Sequence, residues 1–166
     1  MIISFVNDKK FNNKKVFPRI NSPESGELLK DITQLTVNGI DGFMYPKSKN
    51  GNDIYFFDKL LESVETQKGF PIGTFKIIPL IETSAAVLNA QDICKASNRV
   101  IAIAYGCEDF ITDLKGVHDI NDTSLFVPRA LIAMAARANG VIPIDTVHIN
   151  INDLDDLEKN LQVAKN

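Results

Sequence analysis

The chain has 166 residues, 45% hydrophobic and 23% charged, an ordinary globular composition with enough apolar material for one sizeable core. A formal charge of -3 and a sequence pI near 5.4 leave no basic surface for a phosphate backbone, and the run KKFNNKK is diluted by asparagine, so nucleic acid is not an expected partner. The longest apolar runs fall short of the roughly 20 residues a bilayer span needs. MIISFVNDKK lacks the basic start and long apolar middle of a signal peptide, so a cytoplasmic location without membrane contact is the expectation.

Strand-like and helix-like stretches alternate from about residue 15 onward. KVFPRIN (15–21) predicts a first strand. In SPESGELLKDITQLTVNG, Ser22 is placed to cap a helix, Pro23 fits its first turn and Gly39 its stop. IDGFMYPK (40–47) predicts the second strand, SKNGND a polar loop, and IYFFDKLLESVETQKG a helix with Phe56, Leu60, Leu61 and Val64 on its apolar face. FKIIPLIE and RVIAIAYG lack the alternation of a half-solvated sheet, which predicts parallel strands covered on both faces. Between them, SAAVLNAQDICKASN has helical spacing at Ala86, Leu88, Ile93 and Ala96. The strand at 99–106 leads into CEDFITDLKG. A long helix, SLFVPRALIAMAARANG, ends at Gly140, and IDTVHI (144–149) predicts the fifth strand. NDLDDLEKNLQVAKN closes as a helix capped by Asn152 or Asp153.

Strict alternation implies an α/β fold with a parallel sheet and right-handed crossovers. A doubly wound sheet fits this, though no GxGxxG or GxxxxGK[ST] is present. A (β/α)8 barrel fits it too, though such barrels typically run to about 250 residues. Both stay open on periodicity alone.

In either architecture the C-terminal strand ends share one rim. Arg19 and Asn21 end the first strand, Lys47 the second, Glu82 and Thr83 the third, Glu108 and Asp109 the fourth, and His148, Asn150 and Asn152 the fifth. Adjacent strands lie about 4.8 Å apart, so carboxylates at neighbouring ends can reach one ion. Glu82 and Asp109 would be such neighbours, and two carboxylates without a histidine or thiolate suit Mg²⁺ or Mn²⁺. Plainer readings stand beside this one. Glu82 can be a solvated loop charge, Asp109 a helix cap, Arg19 and Lys47 surface charges, and Arg137 a solvated helix residue. Asp145 begins a strand and reads as structural. Cys94 and Cys107 read as free thiols, Cys107 as a packed small residue, while the isolated His118 and His148 make a histidine zinc site unexpected.

FPRINS, GFMYPK, PLIETSAAVLNAQDI, VIAIAYGCEDFITDLKG and RALIAMAARANGVIPIDTVHININD, in that order, resemble the citrate lyase beta subunit family, which includes malyl-CoA and citramalyl-CoA lyases. The resemblance implies a (β/α)8 barrel of the TIM type that cleaves or forms a C–C bond beside a carboxylate, with Mg²⁺ and a CoA or acyl-carrier thioester. It places the family's substrate-contacting arginine on Arg19 and its metal ligands on Glu82 and Asp109. Arg19 and Glu82 are then the expected catalytic residues, and Arg19, Lys47 and Glu82 the substrate-binding ones.

The family's opening strands of the type LFVPG and DLEDAV and its closing GKxxIHP strand have no counterpart here, so the chain reads as a single incomplete barrel domain over 1–166 carrying the third to seventh strands. Two open sheet edges would need cover, which predicts a homo-oligomer or completion by another chain around a small-molecule substrate. A non-catalytic binding or assembly module and a CoA-independent pyruvate-type aldolase are the alternatives.

Overall fold

Proline decides how the sheet begins. In a computed structural model of the chain, which describes residues 13–117, 123–149 and 152–165, the Met44 amide donates to the Pro18 carbonyl and the Ile20 amide to the Met44 carbonyl. Arg19 and Met44 form an isolated parallel bridge. Pro18 has no N–H to extend the ladder, so the expected first strand is reduced to that bridge.

The named strands are β1 (Gly42–Tyr45), β2 (Lys76–Ile81), β3 (Ala102–Tyr105) and β4 (Ile142–Ile144). They pair in parallel in the order β1-β2-β3-β4, with Gly42 opposite Lys76, Leu80 opposite Ala104, and Ala102 opposite Ile142. Chain order and sheet order coincide. A doubly wound sheet reverses direction at a switch point, whereas successive right-handed crossovers in one direction curl a sheet along a barrel path.

Between the strands run a 3-10 turn (Pro23–Ser25) and helices α1 (Leu28–Leu35), α2 (Gly51–Lys68), α3 (Ser84–Leu88), α4 (Ala90–Lys95), α5 (Cys107–Leu114), α6 (Thr123–Ala138) and α7 (Leu154–Lys165). Several boundaries differ from the sequence reading for local reasons. Ser22 precedes the 3-10 turn, while α1 starts later and ends at Leu35 with Thr36 as its C-cap, before Gly39. The polar run SKNGND contains the start of α2: the Asn50 side chain accepts from the Asn52 amide and Asp53 reaches back to the Asn50 amide, a reciprocal cap. The buried stripe of α2 is Ile54, Phe57, Leu61 and Val64, and Phe56 is exposed. Asn89 divides the next helical stretch in two and leaves Leu88 exposed. The last strand lies at Ile142–Ile144 instead of 144–149, because Asp145 turns out of the ladder to pair with Arg129 at 2.9 Å. Asp153 caps α7 by accepting from the Asp156 amide at 2.9 Å.

Period-two alternation sends the strand side chains to two separate clusters. Phe43, Tyr45, Ile77, Ile81 and Ile103 pack with Ile54, Phe57, Leu61, Ile93 and Ile132 from the helices. Tyr45 stacks on Phe57 with ring centroids 4.4 Å apart. Ile78, Leu80, Ala102 and Ala104, with Met44 and Phe17, form the second cluster. Burial on both faces is the reason β2 and β3 read as continuous apolar runs.

At the N-terminal pole of the strands sits a buried ionic cluster that the sequence reading did not anticipate. Arg99 donates through both terminal nitrogens to Glu65, at 2.8 and 2.7 Å, to the Phe75 carbonyl at 2.9 Å, and through Nε to Asp58. Glu65 also accepts the Gly73 and Phe75 amides, each at 2.9 Å. The cluster ties α2 to the segments that enter β2 and β3, opposite the rim where the candidate site lies.

Candidate active site

Glu82 follows β2 immediately, and alternation puts it on the face of Ile78 and Leu80. It is 4% exposed. Its Oε2 accepts the Lys47 backbone amide at 2.8 Å, a bond that the chain makes possible by turning at Lys47 into the left-handed region, φ +54°. The Lys47 turn is itself pinned. Asn89 donates to the Lys49 carbonyl at 3.1 Å, and Asp92 accepts the Gly51 amide at 2.9 Å. The Gly106 amide donates to the Ile81 carbonyl at 3.0 Å, which sets the ends of β2 and β3 side by side.

Asp109 lies exposed in the first turn of α5, whose cap position is Gly106, so it is not the helix cap. Burial foremost, and the neighbouring Asp109 charge with it, pushes the Glu82 carboxyl above the ordinary glutamate range; the Lys47 amide, Arg19 and the Lys47 ammonium pull the other way without reversing the shift. Three of the four predicted site residues, Arg19, Lys47 and Asp109, therefore act on the carboxylate of the fourth, Glu82. Arg19 and Lys47 are exposed, and neither side chain forms an ion pair among the described residues.

Other rim candidates are engaged elsewhere. Asn21 donates to Asp31 through both its backbone and its side chain, each at 2.8 Å. Cys107 is buried, with its Sγ 3.5 Å from a Glu108 carboxylate oxygen. His148 faces Asn160 and Asp156 of α7, at 3.4 and 3.8 Å. Asn152 and Arg137 are exposed, and Asn150 and His118 lie outside the described residues. A cavity of about 270 Å³ opens beside α7, lined by Cys107, Arg129, Asp145 and His148 among others, but by none of Arg19, Lys47, Glu82 or Asp109.

The donor set around Glu82 fits a hard divalent cation. The buried Glu82 carboxylate feels the Asp109 charge, and among the described residues no group of three or more His, Cys, Asp or Glu side chains gathers anywhere. Such a pair leaves most of a Mg²⁺ octahedron to water and substrate oxygens, as that ion prefers.

Sequence and fold comparisons converge on one group of proteins. The family model described as HpcH/HpaI aldolase/citrate lyase matches residues 1–166. The citrate lyase subunit beta of Leuconostoc mesenteroides subsp. cremoris is 31% identical over 153 residues, 92% of this chain and 51% of that protein. Among solved structures, a malate synthase of Haloferax volcanii superposes with a TM-score of 0.87 at 19% identity, covering 99% of this chain and 53% of that one. The citrate lyase beta subunit of M. tuberculosis, complexed with oxaloacetate and magnesium, superposes at 0.72 with 22% identity, over 88% of this chain and 60% of that one. An α/β chain with a sheet of this order and a carboxylate pair at its C-terminal rim is of the TIM-barrel type. The protein belongs to the HpcH/HpaI aldolase/citrate lyase family. It spans about half the length of the curated relatives it matches.

Proposed function

We propose that the chain carries the metal and substrate-anion site of a carbon–carbon lyase that cleaves a hydroxyacyl thioester beside a carboxylate, of the citryl-, malyl- or citramalyl-thioester class. The observation that carries this reading is the buried Glu82 carboxylate, set at a strand end with Asp109, Arg19 and Lys47 acting on it. Glu82 and Asp109 would hold Mg²⁺, and Mn²⁺ satisfies the same donor set. When bound, the ion supplies Lewis acidity toward the carboxylate and carbonyl oxygens of a keto acid.

The chain's own residues divide the remaining work. Arg19 presents its guanidinium, free of ion pairs among the described residues, to the substrate carboxylate, for which its planar fork is suited. Lys47 adds a second cation, while its backbone amide fixes Glu82 Oε2 and leaves Oε1 for the ligand. In the cleavage direction the hydroxyl loses its proton and becomes the keto-acid carbonyl, and the electron pair of the broken C–C bond passes to the thioester enolate, which is then protonated. Burial of Glu82 strengthens each of these electrostatic contacts relative to water.

The outer edge of β4, unpaired among the described residues, and the exposed Ile142, Ile144, Phe126 and Met134 support a site completed by further barrel strands, from the same polypeptide, a second copy or another chain. We place the domain at residues 1–166 and its work on a small-molecule substrate in the cytoplasm. Among the described residues no helix is long and apolar enough to cross a membrane. That same apolar edge favours the second reading, a non-catalytic assembly module.

The deciding assay incubates the purified protein with CoA thioesters and free hydroxy-keto acids, with and without Mg²⁺, and measures release of pyruvate, glyoxylate or oxaloacetate. Mg²⁺-dependent release from thioesters is expected. Release from the free acids alone indicates the CoA-independent aldolase, and no release from any of them indicates the assembly module. In an active preparation, Arg19→Met is expected to lower kcat/KM by at least 100-fold, since a charge-assisted bidentate contact is worth about 3 kcal/mol. A loss below threefold would remove Arg19 from the site.

A further inference from the structure

Gly106 stands between β3 and α5, at the place where Glu82 crosses from the end of β2. A Cβ built on Gly106 would lie 2.6 Å from Glu82 Cγ and 3.2 Å from Glu82 Oε1. The first distance is too short for any real carbon contact, and Cγ is the middle of a side chain whose far oxygen is already tied to the Lys47 amide. Backbone conformation is not what calls for glycine: φ −106° and ψ 85° are open to alanine. The requirement is clearance for one carboxylate arm.

We propose that Gly106 is a positioning residue for Glu82. With the Lys47 amide on Oε2 and the bare Cα of Gly106 beside Cγ, the carboxylate is clamped from two strand ends and Oε1 is the oxygen left for a ligand. The link to metal rests on the Mg²⁺ reading given above; the clamp itself does not. Any side chain at 106 displaces the Glu82 arm, breaks the Lys47 bond and withdraws the carboxylate from the rim.

Three variants of the whole chain test this: Gly106→Ala, Glu82→Ala and the double substitution. Gly106→Ala is expected to lower the melting temperature clearly in the wild-type background and hardly at all in the Glu82→Ala background. It is also expected to speed hydrogen exchange of the Lys47 amide at least tenfold and to weaken binding of Mg²⁺ alone, read by calorimetry, at least tenfold. If Gly106→Ala fails to fold, a folded double variant supports the clash with Glu82 and an unfolded one overturns it. An equal loss of melting temperature in both backgrounds, or unchanged Lys47 exchange, would overturn the proposal; unaltered Mg²⁺ affinity in Gly106→Ala with both of these shifted would overturn the metal reading. Absence of Mg²⁺ uptake by the wild type overturns the metal reading instead, and the thermal cycle and Lys47 exchange still judge the clamp.

Discussion

Replacing Arg99 with methionine is expected to cost about 3–5 kcal/mol of folding stability, the usual consequence of removing one member of a buried ion pair. The reason is what remains. Glu65, 0% exposed, would keep its charge and lose both guanidinium bonds, and Asp58 would keep only the bond from the Ser97 hydroxyl. Although burial alone pushes Glu65 up, the Arg99 hydrogen bonds and the Phe75 and Gly73 amides outweigh it and hold the carboxyl below the ordinary glutamate range. A lowered folded pKa means stability that is present above the unfolded value and lost as pH falls through the folded one. Urea melts at neutral pH and at a pH below the ordinary glutamate range should therefore show a large loss for Arg99→Met at neutral pH and a smaller difference in acid. A loss under 1 kcal/mol at neutral pH would mean that the cluster is not a structural element.

Glu82 carries the opposite sign. Its folded pKa is raised, so the stabilisation from its neutral form is present below the unfolded pKa and lost as pH rises through the folded one. At neutral pH and without metal, Glu82 is a cost to the fold. Glu82→Gln is expected to raise the melting temperature of the metal-free protein, by about 2–4 °C for each kcal/mol regained. Mg²⁺ should reverse the ranking. At 100 times its Kd an ion that binds only the folded state adds about 2.7 kcal/mol, which the wild type gains and Glu82→Gln does not. Thermal melts of both proteins with and without Mg²⁺ check the pair of effects, and a Gln variant less stable than the metal-free wild type would contradict the assignment of burial cost.

The two expectations differ in how far they were visible in the sequence. Glu82 was legible because a charge ending the run Lys76–Ile81 breaks a pattern that burial on both faces produces, and chain order placed Asp109 at the next strand end. The cluster around Arg99 was not. Its pairing with Glu65 spans 34 residues, and nothing in SNRVIAIAYG distinguishes a buried guanidinium from a solvated one. Gly106 escaped for the same reason, since its contact is with a side chain from another strand. Local ambiguity accounts for the remaining differences. The doublet Phe56-Phe57 permits two helical phases, of which packing chose Phe57, and the start of α2 at Gly51 is hidden by cap residues that read as loop. Barrel over doubly wound sheet was undecidable from alternation, because only pairing order separates them.

Joint binding of the divalent ion by Glu82 and Asp109 is read out by titrating Mg²⁺ into the wild type, Glu82→Gln, Asp109→Asn and the double variant in one calorimetric series. One ion per wild-type chain is expected, with affinity at least tenfold weaker in each single variant and no saturable binding in the double, while all four proteins stay folded. Wild-type affinity retained in the double variant would place the ion elsewhere on the protein.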